Sequence, residues 1–341
     1  MSPKFKNPRA NHNFQGRTVS ITGIGSYVPE KILTNADLEK MVDTSDEWIT
    51  TRTGIKERHL AAKDEFTSDM AARAAQRAMK MAGVTADQID LIIVATITPD
   101  MPFPATACLL QHKIGATRAA AFDLEAACSG FIYGLEIGQQ FIMSRTYDTV
   151  LVVGAEKLSA ITDWTDRNTC VLFGDGAGAV ILQNRENSHG LLTAVMGADG
   201  EKANLLFMPA GGSRCPASKD TVDGRMHFLR MEGKETFKNA VQAMLSAARE
   251  VLRRCEIDIA KIKCIIPHQA NRRIIDAVGE RLGAKPEQLF INLQKYGNTS
   301  AASVAIALDE AVASGKISRG DLVLLVVFGA GLTWGAAVIE W

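Results

Sequence analysis

The sequence has no excess of charge of either sign. Its 341 residues hold 38 basic and 38 acidic side chains, a formal net charge of +0. Nucleic-acid binders concentrate positive charge, so this balance argues against one and leaves only local basic patches. No apolar run reaches the roughly 18–20 residues that a membrane span needs. The opening MSPKFKNPRANHNFQGR lacks an apolar stretch, so no secretory signal is expected there; residues 1–16 read as a flexible extension ahead of the first strand. Paired cysteines are also missing. The six cysteines, Cys108, Cys128, Cys170, Cys215, Cys255 and Cys264, include no Cys-x-x-Cys, and none has a histidine at metal-ligand spacing. Scattered thiols in a long chain read as reduced, which points to the cytoplasm, and most of them should be small buried hydrophobes. Low-complexity tracts and repeat arrays are absent.

What is present is apolar surface, 47% of residues, and length enough for two domains or one duplicated unit. RTVSITGIGSYVP reads as a strand ending in glycine turns. TSDMAARAAQRAMKMAG is an amphipathic helix with a Thr/Ser cap region and Gly83 as its stop. IDLIIVATIT, AAAFDLEAA, DTVLVVGAE, IKCIIPH and DLVLLVVFGAG are apolar strands of the kind buried on both faces. KETFKNAVQAMLSAAREVLRRC has Phe237, Val241, Met244, Ala248 and Val251 at helical spacing. Strands alternating with helices argue for an α/β fold with mainly parallel sheets. VLFGDGAGAVIL (171–182) echoes VVFGAGLTWGAAVIEW (326–341). That echo suggests an internal duplication with halves at 17–187 and 188–341; the alternative is a chance likeness of two strand–glycine–strand hairpins.

One cysteine stands out. In EAACSGF, Cys128 follows two alanines, precedes Ser129 and Gly130, and comes straight after an apolar strand. CSGFIYGLEIGQQFIMS has helical periodicity, so Cys128 sits where a helix begins. First-turn N–H groups have no intrahelical acceptor and carry partial positive charge. A thiol of ordinary pKa ~8.5 is expected to fall by one or more units there. Ala126, Ala127 and Gly130 leave room for a substrate carbonyl. A buried cysteine in a tight turn is an equal alternative on this segment alone. Downstream, IIPHQANRRI puts His268 just past an apolar strand, YGNTSAAS puts Asn298 before a helix, and FGAGLTWG supplies a glycine-rich turn. Each has a bland reading, as a structural histidine, an N-cap and a hairpin. Together a Cys, a His and an Asn at strand ends follow the logic of acyl-transfer catalysis.

At these residues the chain resembles the thiolase superfamily, and most of all the β-ketoacyl-acyl carrier protein synthase III family. The resemblance runs from about Val19 to Trp341 and is carried by TNADLEKMVDTSDEWITTRTGIKERH, AACSGF, FGDGAGA, PHQAN, GNTSAAS and FGAGLTWGAA. It implies a thiolase-like duplicated five-layer αβαβα fold, with two similar halves and central mixed sheets. It implies that Cys128 is the acyl-accepting nucleophile, and that His268 and Asn298 bind the malonyl thioester carbonyl and promote decarboxylation. Trp48 and Arg167 resemble residues that sandwich the coenzyme A adenine, with Arg52 and Thr44 near its phosphate end. Asn271 resembles a residue that orders water and the substrate amide. Phe103 resembles one that reaches into a partner subunit's acyl pocket, which implies a homodimer. Arg273, with Lys238 on the preceding helix, resembles a basic patch that docks the acidic acyl carrier protein. Backbone N–H groups of Cys128 and of the 328–331 turn, Ala330 included, would form the oxyanion site.

The implied reaction joins an acyl-coenzyme A primer to malonyl-acyl carrier protein with loss of carbon dioxide, the first condensation of fatty-acid synthesis. Acyl-coenzyme A is a substrate, and no metal or prosthetic group is implied. Neighbouring families fit less well. Thiolases carry a second cysteine in the last glycine loop, where FGAGLTWG has none. Elongating condensing enzymes carry two histidines, where Asn298 stands here. Ala330 occupies a loop that is often all glycine and restricts φ there. Two other readings share the fold: a starter synthase of secondary metabolism, and a non-enzymatic scaffold, which should have lost at least one of the three groups. The segment MPAGGSRCPASKDTVDGRMH is expected to shape the entrance.

Overall fold

The computed structural model describes residues 18–185 and 190–341. Its strands in chain order are β1 (Val19–Tyr27), β2 (Lys31–Thr34), β3 (Glu57–Leu60), β4 (Leu91–Ala95), β5 (Ala120–Leu124), β6 (Thr149–Glu156), β7 (Gly176–Asn184), β8 (Leu191–Ala198), β9 (Leu206–Phe207), β10 (Arg230–Met231), β11 (Cys264–Pro267), β12 (Leu322–Gly329) and β13 (Thr333–Glu340). Its helices are α1 (Asn35–Leu38), α2 (Asp46–Thr53), α3 (Thr67–Ala82), α4 (Thr106–Ile114), α5 (Gly130–Met143), α6 (Arg167–Cys170), α7 (Lys219–Asp223), α8 (Gly233–Cys255), α9 (Arg272–Leu282), α10 (Leu293–Tyr296) and α11 (Ala302–Ala313). The extension expected at residues 1–16 and the boundary expected at 187/188 lie outside the described residues.

The apolar strands are apolar on both faces because both faces are covered. Along β4, Leu91 and Ile93 join one core while Ile92 and Val94 join another. Along β12, Val323, Leu325 and Val327 point one way and Leu324, Val326 and Phe328 the other. This is the period-2 alternation of a strand between two helical layers. The first sheet runs β1-β7-β6-β4-β5 and the second β11-β12-β13-β8. Helices α5 and α11 lie between the sheets, α5 touching β4, β6, β8 and β13, and α11 touching β1, β7 and β11. Helices α3 and α4 cover the far face of the first sheet, and α8 that of the second, with α9 packed on α8. The result is the five-layer thiolase-like arrangement.

The two sheets share strand sense as well as order. β4 is parallel to β5 and β6, while β7 is antiparallel to β6 and β1. β11 is parallel to β12, while β13 is antiparallel to β12 and β8, and a parallel bridge from Ile265 to Leu289 stands where a fifth strand would be. The mainly parallel sheets expected from the strand–helix alternation are corrected to the mixed sheets that the resemblance implies: β7 runs back along β6, and the glycine turn after β12 sends the chain straight back as β13. The 171–182 echo is also only partial. Val171 and Leu172 follow α6, and Phe173 makes a single bridge to Asn298 instead of entering a strand. At α3 the stop holds, with Gly83 left-handed at φ 67. Its cap differs, since Thr67 and Ser68 spend their hydroxyls on Thr98 O and Asp100, and Phe66 occupies the cap position.

Candidate active site

Cys128 stands in a tight turn between β5 and α5. Glu125 Oε1 accepts the Ala127 N–H at 3.1 Å, and Ala127 is left-handed at φ 45. A short 3-10 turn, Ala127–Ser129, then leads into α5 at Gly130. Gly130 is required by packing, since a Cβ there would lie 2.8 Å from the Ala95 Cβ. Cys128 itself is 8% exposed. The expected fall of its thiol pKa is overturned. Burial pushes it up to about 12, with a hydrogen bond from Ser300 pulling down and the Glu156 and Glu125 carboxylates adding to the rise. Desolvation of a thiolate inside an apolar tunnel outweighs the helix start. The resting group is a thiol.

The second half brings an imidazole and a carboxamide to the same cavity. β11 ends at Pro267, and the His268 N–H continues the ladder by donating to Val326 O at 2.8 Å. His268 Nδ1 shares a hydrogen bond with Ser303 Oγ at 2.6 Å, which leaves Nε2 for the cavity. Burial holds this imidazole down at about 4, so it is neutral near pH 7. Asn298 is pinned at its backbone, donating to Leu172 O and accepting from the Gly174 N–H. It does not cap α11: its Oδ1 accepts the Ser300 N–H at 2.9 Å, which aims its Nδ2 donor at the cavity. The cavity measures about 1200 Å³, and Cys128, His268, Asn298, Ser300, Gly329 and Ala330 all line it. Gly329 presses so close that a Cβ there would sit 2.7 Å from Cys128 N.

Toward the mouth the lining includes Trp48, Arg52, Asn271 and Arg273. The guanidinium groups of Arg52 and Arg167 lie over the Trp48 ring at 4.7 and 5.4 Å from its centroid, and Arg167 donates to Asp43 O at 2.7 Å. Thr44 lies outside the lining, its Oγ1 buried without a hydrogen-bond partner among the described residues. Asn271 caps α9 through Oδ1 to Arg273 N and donates Nδ2 to Arg52 O. Arg273 lies over the Phe237 ring, 5.5 Å from its centroid, and Lys238 is exposed on the adjoining turn of α8. Phe103 is 84% exposed on the loop after β4. Part of the 208–227 segment does line the entrance, through Met208, Ala210, Gly211 and Gly212. Asp163 is buried and paired with Arg225 of that segment.

Residues 122–200 match the family described as 3-oxoacyl-[acyl-carrier-protein (ACP)] synthase III, and residues 252–341 match its C-terminal region. A curated relative, the beta-ketoacyl-[acyl-carrier-protein] synthase III of Caldanaerobacter subterraneus subsp. tengcongensis, is 59% identical over 94% of this chain and 97% of its own length. The chain belongs to the β-ketoacyl-[acyl-carrier-protein] synthase III family. Among solved structures, the 3-oxoacyl-[acyl-carrier-protein] synthase III of Aquifex aeolicus is 50% identical, with a TM-score of 0.88 over 95% of this chain and 100% of that one. The priming beta-ketosynthase of the R1128 polyketide pathway is 36% identical, also with a TM-score of 0.88, over 97% and 98%.

Within this synthase III framework, three polar groups at the site escaped the reading of the sequence. Ser303 orients the imidazole. Ser300, left-handed at φ 48, holds the carboxamide through its N–H, donates its hydroxyl to Glu156 Oε1 at 2.9 Å, and pulls the Cys128 thiol pKa down. Glu156, at the end of β6, is 0% exposed and is pushed up to about 7 by burial. A glutamate closing an otherwise apolar strand in DTVLVVGAE was a usable signal, because a carboxylate is almost never fully buried without a purpose-built set of donors.

Proposed function

We propose that this chain condenses an acyl-coenzyme A primer with malonyl-acyl carrier protein by way of an acyl-Cys128 intermediate, releasing carbon dioxide and coenzyme A and starting fatty-acid synthesis. The observation that carries this reading is the convergence of Cys128, His268 and Asn298 on one cavity. In the first half-reaction Cys128 Sγ attacks the thioester carbon. Negative charge develops on the carbonyl oxygen, which the backbone N–H groups of Cys128 and Ala330 receive; one such donor is worth about 3–4 kcal/mol of barrier. In the second, the malonyl thioester oxygen meets two neutral donors, His268 Nε2 and Asn298 Nδ2. They stabilise the enolate left when carbon dioxide departs, and its carbon attacks the acyl-cysteine. A neutral imidazole suits this role because it donates without introducing a buried charge.

Coenzyme A enters past Trp48, where its adenine displaces one of the two guanidinium groups from the indole face and lies between Trp48 and Arg167, its phosphates toward Arg52 and Thr44. Asn271 reaches substrate by exchanging one of its two present hydrogen bonds. Arg273 and Lys238 dock the acidic carrier protein. Exposed Phe103 fills the acyl pocket of a second copy, so the working form is a homodimer. Its scattered thiols favour a cytoplasmic location. The reaction as written calls on no metal or prosthetic group. The likeness to a polyketide-priming synthase favours one second reading, a starter role in secondary metabolism. Rates with acetyl-, isobutyryl- and octanoyl-coenzyme A separate the two. Mass spectrometry after mixing with acetyl-coenzyme A tests the main reading: an acetyl group on the Cys128 peptide and nowhere else is expected, and an unmodified Cys128 overturns it.

A further inference from the structure

Behind Ser300 lies a fully buried carboxyl group that this scheme leaves idle, that of Glu156, and its hydrogen bonds are directional. Thr98 Oγ accepts the Lys157 N–H at 2.8 Å, so its own proton goes to Glu156 Oε2 at 2.6 Å. Thr96 Oγ accepts the Thr98 N–H at 3.0 Å and likewise donates to Oε2, at 3.2 Å. Oε2 is thereby filled with donors. The Ile97 N–H approaches both oxygens, at 3.3 and 3.2 Å. Oε1 faces the Ser300 hydroxyl at 2.9 Å, and Ser300 lines the same cavity as Cys128, whose thiol pKa its hydroxyl pulls down. Ser300 has one proton and two acceptors. When Glu156 is ionised the proton points to Oε1. When Oε1 is protonated, it donates to Ser300 Oγ and frees the Ser300 proton for the sulfur.

Building on the proposed function, we infer that Glu156 is a positioning residue that stores the Cys128 proton between the two half-reactions, acting through the Ser300 hydroxyl. As Cys128 Sγ bonds to the thioester carbon, its proton passes to Ser300 Oγ and the Ser300 proton to Glu156 Oε1. The bond from that carbon to the coenzyme A sulfur breaks, and the coenzyme A thiolate takes its proton from water at the mouth. In the second half-reaction the malonyl carbanion attacks the acyl carbon, and Cys128 leaves as thiolate. It takes a proton from Ser300, and Glu156 Oε1 returns its own. One negative charge is present at the start and end of each half, so protons and electrons balance.

Two comparisons favour this route. Of the two groups, His268 lines the cavity and is held at about 4, whereas Glu156, buried behind Ser300, is at about 7, nearer to working pH and so the better acceptor. Among the groups packed against Glu156, residues 96–98 and Ser300 offer hydroxyls and N–H groups, Cys128 lies across Ser300, and Lys157 commits its ammonium to Ala62 O and Glu65 O. Glu125 is a second carboxylate acting on Cys128, but its Oε1 is tied to the Ala127 N–H.

The test is rapid-quench acylation of the full-length protein with acetyl-coenzyme A from pH 5.5 to 9, for wild type, Glu156→Gln and Ser300→Ala. Wild type should show a rate that rises as pH passes through about 7, as the Glu156 carboxylate becomes free to accept. Glu156→Gln should lose that limb and fall by roughly 100-fold at pH 8. Ser300→Ala, which leaves the carboxylate in place, should lose the same limb. A Glu156→Gln or Ser300→Ala protein that keeps the wild-type limb overturns the proton-store role. Should Glu156→Gln not fold, Ser300→Ala decides alone. Failure of wild-type Cys128 to acylate would instead sink the underlying functional reading, so the two failures are distinct.

Discussion

The two halves share one topology and use its strand ends differently. Gly154 pairs with Gly178, and Val327 pairs with Gly335. Both partner glycines press on a central helix, Gly178 against Ala305 and Gly335 against Ile132. Two residues beyond Gly154 comes Glu156, and two beyond Val327 comes Gly329. Each meets the left-handed turn that opens the other half's central helix: Glu156 meets Ser300, and Gly329 meets Ala127 and Cys128. One half thus places a carboxylate where the other places bare backbone. The bare position leaves space beside the sulfur, and the carboxylate supplies a proton acceptor from the opposite side. Duplication provides two similar corners, and chemistry needs them to differ.

The sharpest break of the comparison removes the nucleophile. Cys128→Ala should abolish condensation, by roughly 10⁴-fold or more, and leave no acyl adduct by mass spectrometry. Next come the donors of the second half. His268→Ala and Asn298→Ala should each slow malonyl decarboxylation by about 10²–10³-fold, with a smaller loss in Cys128 acylation; equal losses in both steps would deny the division of labour between halves.

The buried ionisable groups make a third contrast, of opposite sign. His268 is depressed to about 4 from an ordinary 6.5, so the unfolded chain gains its proton first as pH falls. That stabilisation is full above 6.5 and is lost between 6.5 and about 4, by about 3 kcal/mol. Glu156 is raised to about 7 from 4.5, so stability is full below 4.5 and is lost as pH rises to about 7, by a similar ~3 kcal/mol. In urea melts across pH, His268→Gln should flatten the first slope and Glu156→Gln the second. The smallest effect is at the rim. Arg273→Ala with Lys238→Ala should raise the KM for malonyl-acyl carrier protein a few-fold at low salt and hardly at all at high salt, because exposed charges are screened.

How far the sequence could be read follows from the range of the interactions. The apolar strands and the helices α3, α5, α8 and α11 were legible, since periodicity is a local property. Gly83 was legible as a stop for the same reason. The caps were less so: Thr67 and Ser68 look like caps but serve Thr98 and Asp100, about 30 residues on. The antiparallel sense of β13 was legible as a strand–glycine–strand hairpin, whereas that of β7 was not, because residues 157–175 separate it from β6. Cys128, His268 and Asn298 could be picked out because each sits in a distinctive local motif. Ser303 could not, because its role rests on a contact across 35 residues; Glu156 was visible as a glutamate closing an apolar strand, but its partner lies 144 residues away.

The sequence by itself determined which segments are apolar on both faces, which segments are helical, and which three groups stand at strand ends beside small residues. Only the tertiary structure decided that the cysteine rests as a thiol, that the imidazole is neutral, and that a buried glutamate reaches the sulfur through a serine from the other half. The reason is physical: residue type sets what a group can donate or accept, while its protonation depends on how completely distant parts of the chain exclude water around it.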